Sequence, residues 1–557
     1  MVDPVEKLLL KFDEYDLERL VTIDIQRDLE YLAGPKDKER KEWLVQCALA
    51  THGTGIFRES AARRSLFLLL PDDQLGIIKK ELCGDEAHDK PFDNAMALSR
   101  LTWSAGSAVV NLVSDTWEIP LKFLPHQGVD TPTVQNLQPY RPLPPLHPHQ
   151  EEVRSQVEEM LETKSKKLLV QMPTGSGKTR TMVEALASHW RGGLDRNCLV
   201  WLAHSEELCE QAADSISRVW PERADQPVRL VRLFGRHEPR PPEIVGSIVV
   251  ASLQKAHARV REGGIVAGAL KRRAQAVVFD EAHRALAPTY EYVTKFLTAN
   301  GAPLIGLTAT PGRGVDRAHE NQELADLFGG NLVVPAGDGD VVDRLEAEGI
   351  LAKVRRREVE TGTEVYPEQR QLDSVLEGFD YSSAILKTLS KNRERNQLLI
   401  KTIKEECSEG RPALVFACSV SHAQVLSAAL NLHGISAACI HGDMPPADRY
   451  SAIIGFRSGE FDVLTNFGVL STGFDAPRTR TVIVARPTNS AVLYAQMVGR
   501  ALRGPKMGGG EEAWVVDIRD NLDRFGAVTS VYHAFERFWQ SEEAEERETL
   551  GATKGDK

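Results

Sequence analysis

The chain has 557 residues, 42% of them hydrophobic and 26% charged, the balance of a soluble globular protein with room for several domains. Its formal net charge of −11 excludes a chain coated throughout with cations, while leaving room for a local basic groove that holds nucleic acid. Seven cysteines, at 47, 83, 198, 209, 407, 418 and 439, form no C-x-x-C, which argues against a zinc ribbon or an iron–sulfur cluster and fits reduced thiols and a cytoplasmic location.

From the start, "MVDPVEKLLLKFDEYDLERL" is acidic and amphipathic and does not read as a signal peptide, and no apolar run reaches the ~18 residues of a membrane span. Amphipathic periodicity predicts helices over roughly 4–33, 37–52, 58–70, 72–83 and 92–113. Residues 1–140 are therefore expected to be a helical accessory domain that folds separately, selects a protein partner or substrate, and is dispensable for basal ATP chemistry. The P-D-x-E-x-K pattern of nucleases is absent from it. The proline-rich "VDTPTVQNLQPYRPLPPLHPHQ" reads as a linker.

Apolar runs then alternate with helical stretches: "KLLVQM", "NCLVWLAH", "VRLVRLF", "SIVVAS", "AVVFDE" and "PLIGLTAT". After about residue 380 the series restarts with "PALVFACS", "SAACIHG", "FDVLTN", "TVIVARP" and "EAWVVDI". Two such series predict two tandem α/β domains with parallel sheets, 141–345 and 346–535. Residues 331–365 are expected to bridge them, and 536–557 to be a charged, disordered tail.

The first run ends in "QMPTGSGKTR", a phosphate-binding loop whose usual first glycine is replaced by Met172. Thr174, Gly175, Ser176 and Gly177 form the turn, Lys178 can reach the β- and γ-phosphates, and the Thr179 hydroxyl can ligate Mg²⁺. Further on, "AVVFDEAH" sets Asp280 and Glu281 at a strand end, where open parallel sheets bind ligands. Asp280 can hold Mg²⁺, Glu281 can deprotonate the attacking water, and His283 can relay the state of the site. A lone D-E-A-H is a weak signal, but in the same series as G-K-T it is a specific one. "LIGLTATP" places Thr308 and Thr310 at a third strand end, as a coupling element between ATP and nucleic acid. In the second series, Asp475, after Gly473, can meet the ribose or the metal shell. Gln496, Arg500 and Arg503 at i, i+4 and i+7 are expected on one helix face, suited to a γ-phosphate and its transition-state charge.

Taken in order, "LHPHQ", "PTGSGKT", "WLAHSEELCEQ", "VASLQK", "VVFDEAH", "LTATP", "LVFACSVSHA", "VLTNFGVLSTGFDAP" and "QMVGRALRG" make residues 145–535 resemble a superfamily 2 helicase core of two RecA-like lobes. The nearest branch is that of the DEAH-type DNA helicases, which includes RadD-like proteins and the motors of type I restriction enzymes. The resemblance implies that Gln150 reads the adenine edge, making ATP the nucleotide. It also implies that His204, Ser252, Gln254, Ser419, His441 and Thr465 lie along the nucleic-acid path. Two departures stand out: Ser205 replaces an arginine common in the family, and the terminal zinc cysteines of RadD-like proteins are absent. Three readings follow: a DNA translocase or helicase moving 3′→5′, in repair or restriction-type defence; the same motor on RNA; or an ATP-gated clamp that recruits a partner through residues 1–140. Likeness to the DNA branch favours the first.

Overall fold

The computed structural model describes residues 4–34, 38–84, 88–125, 131–137, 143–163, 167–190, 194–223, 226–312, 318–335, 341–362, 380–469, 476–488 and 490–520. Gly473, Asp475 and the charged tail lie outside the described residues.

The first sheet has eight strands: β1 (Val134–Leu137), β2 (Lys167–Gln171), β3 (Cys198–Ala203), β4 (Val228–Leu233), β5 (Ser247–Ser252), β6 (Ala274–Asp280), β7 (Leu304–Thr308) and β8 (Leu332–Val333). Their order is β1-β4-β5-β3-β6-β7-β2-β8, parallel throughout except for β1 against β4. The central strands are apolar on both faces because helices cover both, as parallel sheets require. The second sheet has six parallel strands: β9 (Lys353–Glu360), β10 (Ala413–Phe416), β11 (Ala437–His441), β12 (Val463–Phe467), β13 (Thr481–Val484) and β14 (Glu512–Arg519). They run in the order β11-β12-β10-β13-β14-β9. Two tandem RecA-like α/β lobes result.

Three strands escape the sequence pattern. The expected linker contributes β1, an edge strand whose Leu137 is buried and whose neighbours Pro132 and Thr133 accept bonds from Arg232. The expected bridge is divided between the lobes, with β8 completing the first sheet and β9 forming an edge of the second. Charge hides β9: Arg355, Arg356 and Arg357 are tolerated because an edge strand faces water, where Arg355 pairs with Glu512 at 2.7 Å.

The N-terminal region also departs from expectation. The helix expected over 4–33 breaks into Pro4–Leu9, Glu14–Leu20 and Ile23–Ala33. The stretch 92–113 breaks into Pro91–Ser99 and Ala108–Trp117. The core of these helices is continuous with that of the second lobe. Leu29, Leu32, Val45 and Ala48 belong to one continuous apolar cluster with Leu399, Ile403, Leu426 and Leu430 of the second lobe. Helix Val420–Leu432 packs on Ile23–Ala33 and Arg40–His52, and helix Arg393–Ser408 packs on Ile23–Ala33. Polar links seal the seam: Asn431 Nδ2 donates to Ala50 O at 3.2 Å, His433 Nε2 meets Leu32 O at 3.0 Å, and Arg393 Nε pairs with Asp28 at 3.1 Å. The helices expected to form an accessory module thus lie as an outer layer on the second lobe.

Burying a Leu, Ile or Val side chain contributes roughly 1.5–3 kcal/mol, so a chain starting at Thr131, which keeps β1, should expose a costly apolar face. It is expected to bind an apolar dye such as ANS and to melt at a lower temperature and less sharply than the full chain. A fragment that stays monomeric and melts as sharply as the full chain would show that the second lobe needs no outer layer.

Candidate functional site

The C-terminal ends of β2, β6 and β7 lie side by side, because β6, β7 and β2 are consecutive neighbours in the first sheet. Met172 continues the β2 ladder, its N–H donating to Thr308 O at 3.1 Å, and its side chain is wholly buried in the core beneath the loop. A core side chain therefore stands where the common loop has glycine. Ser176 Oγ donates to Pro173 O at 2.7 Å and closes the turn. Gly177 has φ +93°, and a Cβ there would lie 2.1 Å from Gln150 Nε2, so both conformation and space demand glycine. Helix Lys178–His189 follows directly, with its N-terminus at the loop.

Gln150 is fully buried beside this loop. Its Nε2 donates to Ser176 O at 2.9 Å, and its Oε1 accepts from His147 N–H at 3.0 Å. It braces the loop from the start of helix Pro148–Glu162, leaving one amide hydrogen for a ligand. Lys178 Nζ donates to Met172 O at 3.2 Å, beneath the loop.

Asp280 and Glu281 are both buried. Glu281 has φ +57°, a left-handed conformation costly for a non-glycine residue, and its N–H donates to Asp280 Oδ1 at 3.0 Å. Burial, then repulsion from Glu281, raises the Asp280 carboxyl above the usual range. Burial alone would raise Glu281 too, but His283, Lys178 and Arg500 outweigh it and hold Glu281 below that range. Burial pushes the Lys178 ammonium down against the pull of both carboxylates. Thr308 Oγ1 donates to Thr310 O at 2.8 Å and accepts from Thr310 N at 3.1 Å, and it lies 3.4 Å from His283 Nδ1.

The second lobe reaches this site directly. Gln496 Nε2 lies 3.1 Å from His283 Nε2. The other ring nitrogen of His283, Nδ1, lies 3.4 Å from Glu281 Oε2, so the ring stands between Gln496 and the carboxylate. Gly499 packs against Thr174, where an added Cβ would stand 2.7 Å from Thr174 Cβ. Arg503 lies over Gly175, and the Arg500 Nε donates to Gln496 O at 3.2 Å. The single helix face expected for Gln496, Arg500 and Arg503 is not what forms. The helix ends at Val498, and Arg503 instead bridges to Leu351. The close approach of Gly499 to the opposite lobe, and the bond from Gly504 N to Ile350 O at 2.9 Å, turn the chain away from the helix axis.

His204, Ser252 and Gln254 line one cleft of about 470 Å³ at the ends of β3 and β5, together with Gly235 and Lys255. Gln254 Nε2 donates to His204 O at 2.9 Å, and Ser252 Oγ caps the next helix by accepting from Lys255 N. Burial, then Arg284, pushes His204 down to about 3, so its ring stays neutral. Lys255, which the motifs do not single out, supplies a cation to this cleft, held by Gly235 O at 2.7 Å and Glu238 at 2.9 Å. In the second lobe, Ser419 caps helix Val420–Leu432 and His441 ends β11, both partly exposed. Thr465 is a correction. It is fully buried, and its hydroxyl donates to Ala423 O at 2.8 Å, so it ties β12 to the helix behind it instead of facing a strand.

Two family descriptions match the chain: the type III restriction enzyme, res subunit, over residues 143–313, and the helicase conserved C-terminal domain over residues 394–505. The first span holds the phosphate loop, Asp280, Glu281 and Thr308, and the second holds Gln496, Arg500 and Arg503. A Saccharomyces cerevisiae protein named as an ATP-dependent helicase, IRC3, is 25% identical over 61% of this chain and 46% of its own length. A Schizosaccharomyces pombe protein named as a mitochondrial ATP-dependent helicase is 24% identical over 68% of this chain and 58% of its own. The chain thus spans about half the length of these relatives. Among solved structures, a fragment described as the HsdR subunit of a type I restriction enzyme from Vibrio vulnificus aligns with a TM-score of 0.48 and 18% identity, over 68% of this chain and 65% of that one.

The Gly499–Thr174 contact lies between lobes, so Gly499→Ala should separate the reacting groups while leaving each lobe folded. Displacements near 1 Å cost about 10²-fold in rate. The variant is expected to lose roughly 10–100-fold in ATP turnover, with its melting temperature within a few degrees of the parent. Parental turnover in a folded Gly499→Ala protein would show that the lobes need not meet there.

Proposed function

Since the chain belongs to the superfamily 2 helicases, in the branch of the restriction-enzyme motors, we propose that it is an ATP-driven motor that moves along a nucleic-acid strand, DNA in preference to RNA, in the 3′→5′ sense. The observation that carries this reading is the bond from Gln496 of one lobe to His283 of the other, which joins the second lobe to the carboxylate pair. The res-subunit match supports DNA, and it favours a setting in repair or restriction-type defence.

The loop N–H groups of residues 174–179 and the Lys178 ammonium bind the β- and γ-phosphates. Gln150 meets the adenine edge with its remaining amide hydrogen. Thr179 and Asp280 offer hard oxygen donors of the kind Mg²⁺ takes, and two adjacent buried carboxylates beside one lysine leave a negative excess that suits a cation. Mg²⁺, when bound, offsets charge on the phosphate oxygens. Glu281, held anionic, takes the proton of the attacking water, while Arg500 and Arg503 balance charge building on the γ-phosphoryl oxygens from the opposite lobe. Gly473 and Asp475 stay proposed contacts to ribose or metal shell. Thr308, Thr310 and His283 connect this chemistry to the cleft of His204, Ser252 and Gln254, where neutral donors hold the backbone of a strand without reading its bases.

Lys178→Ala is expected to lose turnover by losing phosphate binding. Glu281→Gln should keep ATP affinity within a few-fold and lose roughly 10²–10⁴ in turnover, the usual share of a positioned base. Near-parental turnover by Glu281→Gln would remove Glu281 from that role. Single-stranded DNA should stimulate ATPase more than RNA of equal length, weakening with salt at a log–log slope of about −0.7 per phosphate contact. Unwinding should need a 3′ tail. Turnover indifferent to both nucleic acids would rule out the motor, and stimulation by RNA alone would rule out the preference for DNA.

A further inference from the structure

The helical layer of residues 4–124 reaches two loops of the second lobe, those of Ser419 and His441, which the proposed function assigns to the strand, one through helix Arg393–Ser408 and one through Asp448. The first is Cys418–His422, which carries Ser419. Helix Arg393–Ser408 holds it from behind, since Asn396 Oδ1 meets His422 Nε2 at 2.9 Å while His422 Nδ1 accepts from Cys418 N at 3.1 Å. Arg395 of the same helix is wholly buried, paired with Asp520 at 2.7 Å and donating to Ala485 O at 2.5 Å. Three residues before Asn396, Arg393 leaves the helix in the opposite sense, pairs with Asp28 and lies 5.7 Å from the Tyr31 ring centroid in the layer.

The second loop, His441–Met444, leads into helix Pro446–Ser458. Asp448, in the first turn of that helix, is only 9% exposed, and its carboxylate partner is Arg58 of the layer. The next residue, Arg449, donates to Gly442 O at 3.1 Å and pairs across the cleft with Glu207 of the first lobe. Glu207 adjoins Glu206, at the rim of the cleft that holds His204 and Gln254. One helix turn therefore receives an arginine from the layer and sends another to the opposite lobe.

We propose that the helical layer is a positioning element of the second lobe, and that Arg58, through Asp448, sets helix Pro446–Ser458 and so places Arg449 across the cleft. The chemistry argues for position over bulk stability. A carboxylate at a helix N-terminus is favoured by the helix dipole, and burial makes it dependent on a fixed cation. Without Arg58 the buried Asp448 must turn toward water or toward its own neighbour Arg449, and either move shifts the turn that crosses to Glu207. Arg58 belongs neither to the phosphate-loop site nor to the lining of the cleft of His204 and Gln254, so its effect should appear in coupling and not in the chemical step.

The test builds on the motor reading for one readout and is free of it for the other. Full-length Arg58→Ala, Arg58→Lys and Asp448→Asn are compared with the parent. Arg58→Ala should keep the melting temperature within a few degrees and strand-free ATPase within about twofold. It should raise the single-stranded DNA concentration for half-maximal stimulation by roughly tenfold, the scale of coupling changes made away from a ligand. Arg58→Lys should recover most of that shift, and adding Asp448→Asn to Arg58→Ala should add little. Independently of nucleic acid, amide exchange over residues 441–450 should quicken in Arg58→Ala while β10 and β13 keep their protection. Unchanged exchange in that segment overturns the proposal whether or not the protein is a motor. So does a stimulation curve that Arg58→Ala leaves in place, or one that Arg58→Lys fails to restore. A parent that ignores nucleic acid yet shows the quickened exchange would remove the motor reading and keep the positioning one.

Discussion

Asp280 and Glu281 are two carboxylates withdrawn from water at the end of β6, with Lys178 the nearest ammonium. Neighbouring like charges in a low-dielectric cleft disfavour each other, and burial disfavours each alone. The two carboxylates answer differently. Asp280 is driven toward its neutral form, while Glu281 is kept anionic by cations, one of which, Arg500, comes from the other lobe. His283 and Lys178 of the first lobe contribute most to holding Glu281 down, and Arg500 of the second lobe adds to them. The second lobe thus brings a cation to a carboxylate pair that the first lobe has withdrawn from water.

His283 is where the dependence acquires direction. Its Nε2 is occupied by Gln496 and its Nδ1 faces Glu281 and Thr308. One ring thus reads the opposite lobe on one edge and the carboxylate on the other. Thr308 extends the path to Thr310 through a pair of short bonds. The Gln496 contact is the one of these that comes from the second lobe, whereas Thr308 and Glu281 hold the other edge of the ring from within the first. Gly499 and Gly504 allow the approach, since any side chain at Gly499 would hold the lobes apart.

The first-lobe half of this arrangement was legible in the sequence because it obeys short-range rules. "GSGKT" needs glycine backbone and a helix start, and "FDEAH" needs a strand end, and both follow from residues adjacent in the chain. Eleven apolar runs became strands for the same reason. What escaped depends on contacts far apart in sequence. Thr465 resembles its hydroxyl-bearing neighbours on paper, yet Ala423 claims its Oγ1 inside the lobe. Arg503 keeps helical spacing from Gln496, but pairing with Leu351 outweighs propensity. The periodicity of residues 4–124 announces an apolar face, and nothing local says that the face belongs against Leu426 and Leu430 instead of closing on itself.

The attachment of that layer changes the mechanics of the whole chain. With the layer fixed to the second lobe, the polypeptide passes between the two bodies twice, between Leu124 and Thr133 and again between Val333 and Val341. The first passage enters the first lobe at β1 and the second leaves it at β8, and these are opposite edges of the eight-stranded sheet. Seven inter-strand steps of about 4.8 Å put the two tethers roughly 30 Å apart. Both passages meet the first lobe at the C-terminal ends of its parallel strands, because antiparallel β1 begins there and parallel β8 ends there, and Lys178, Glu281 and His204 stand at those same ends. The chain thus joins the two bodies on the side of the sheet that carries the nucleotide loop and the cleft of His204, so the connections and the candidate site share one face of the first lobe.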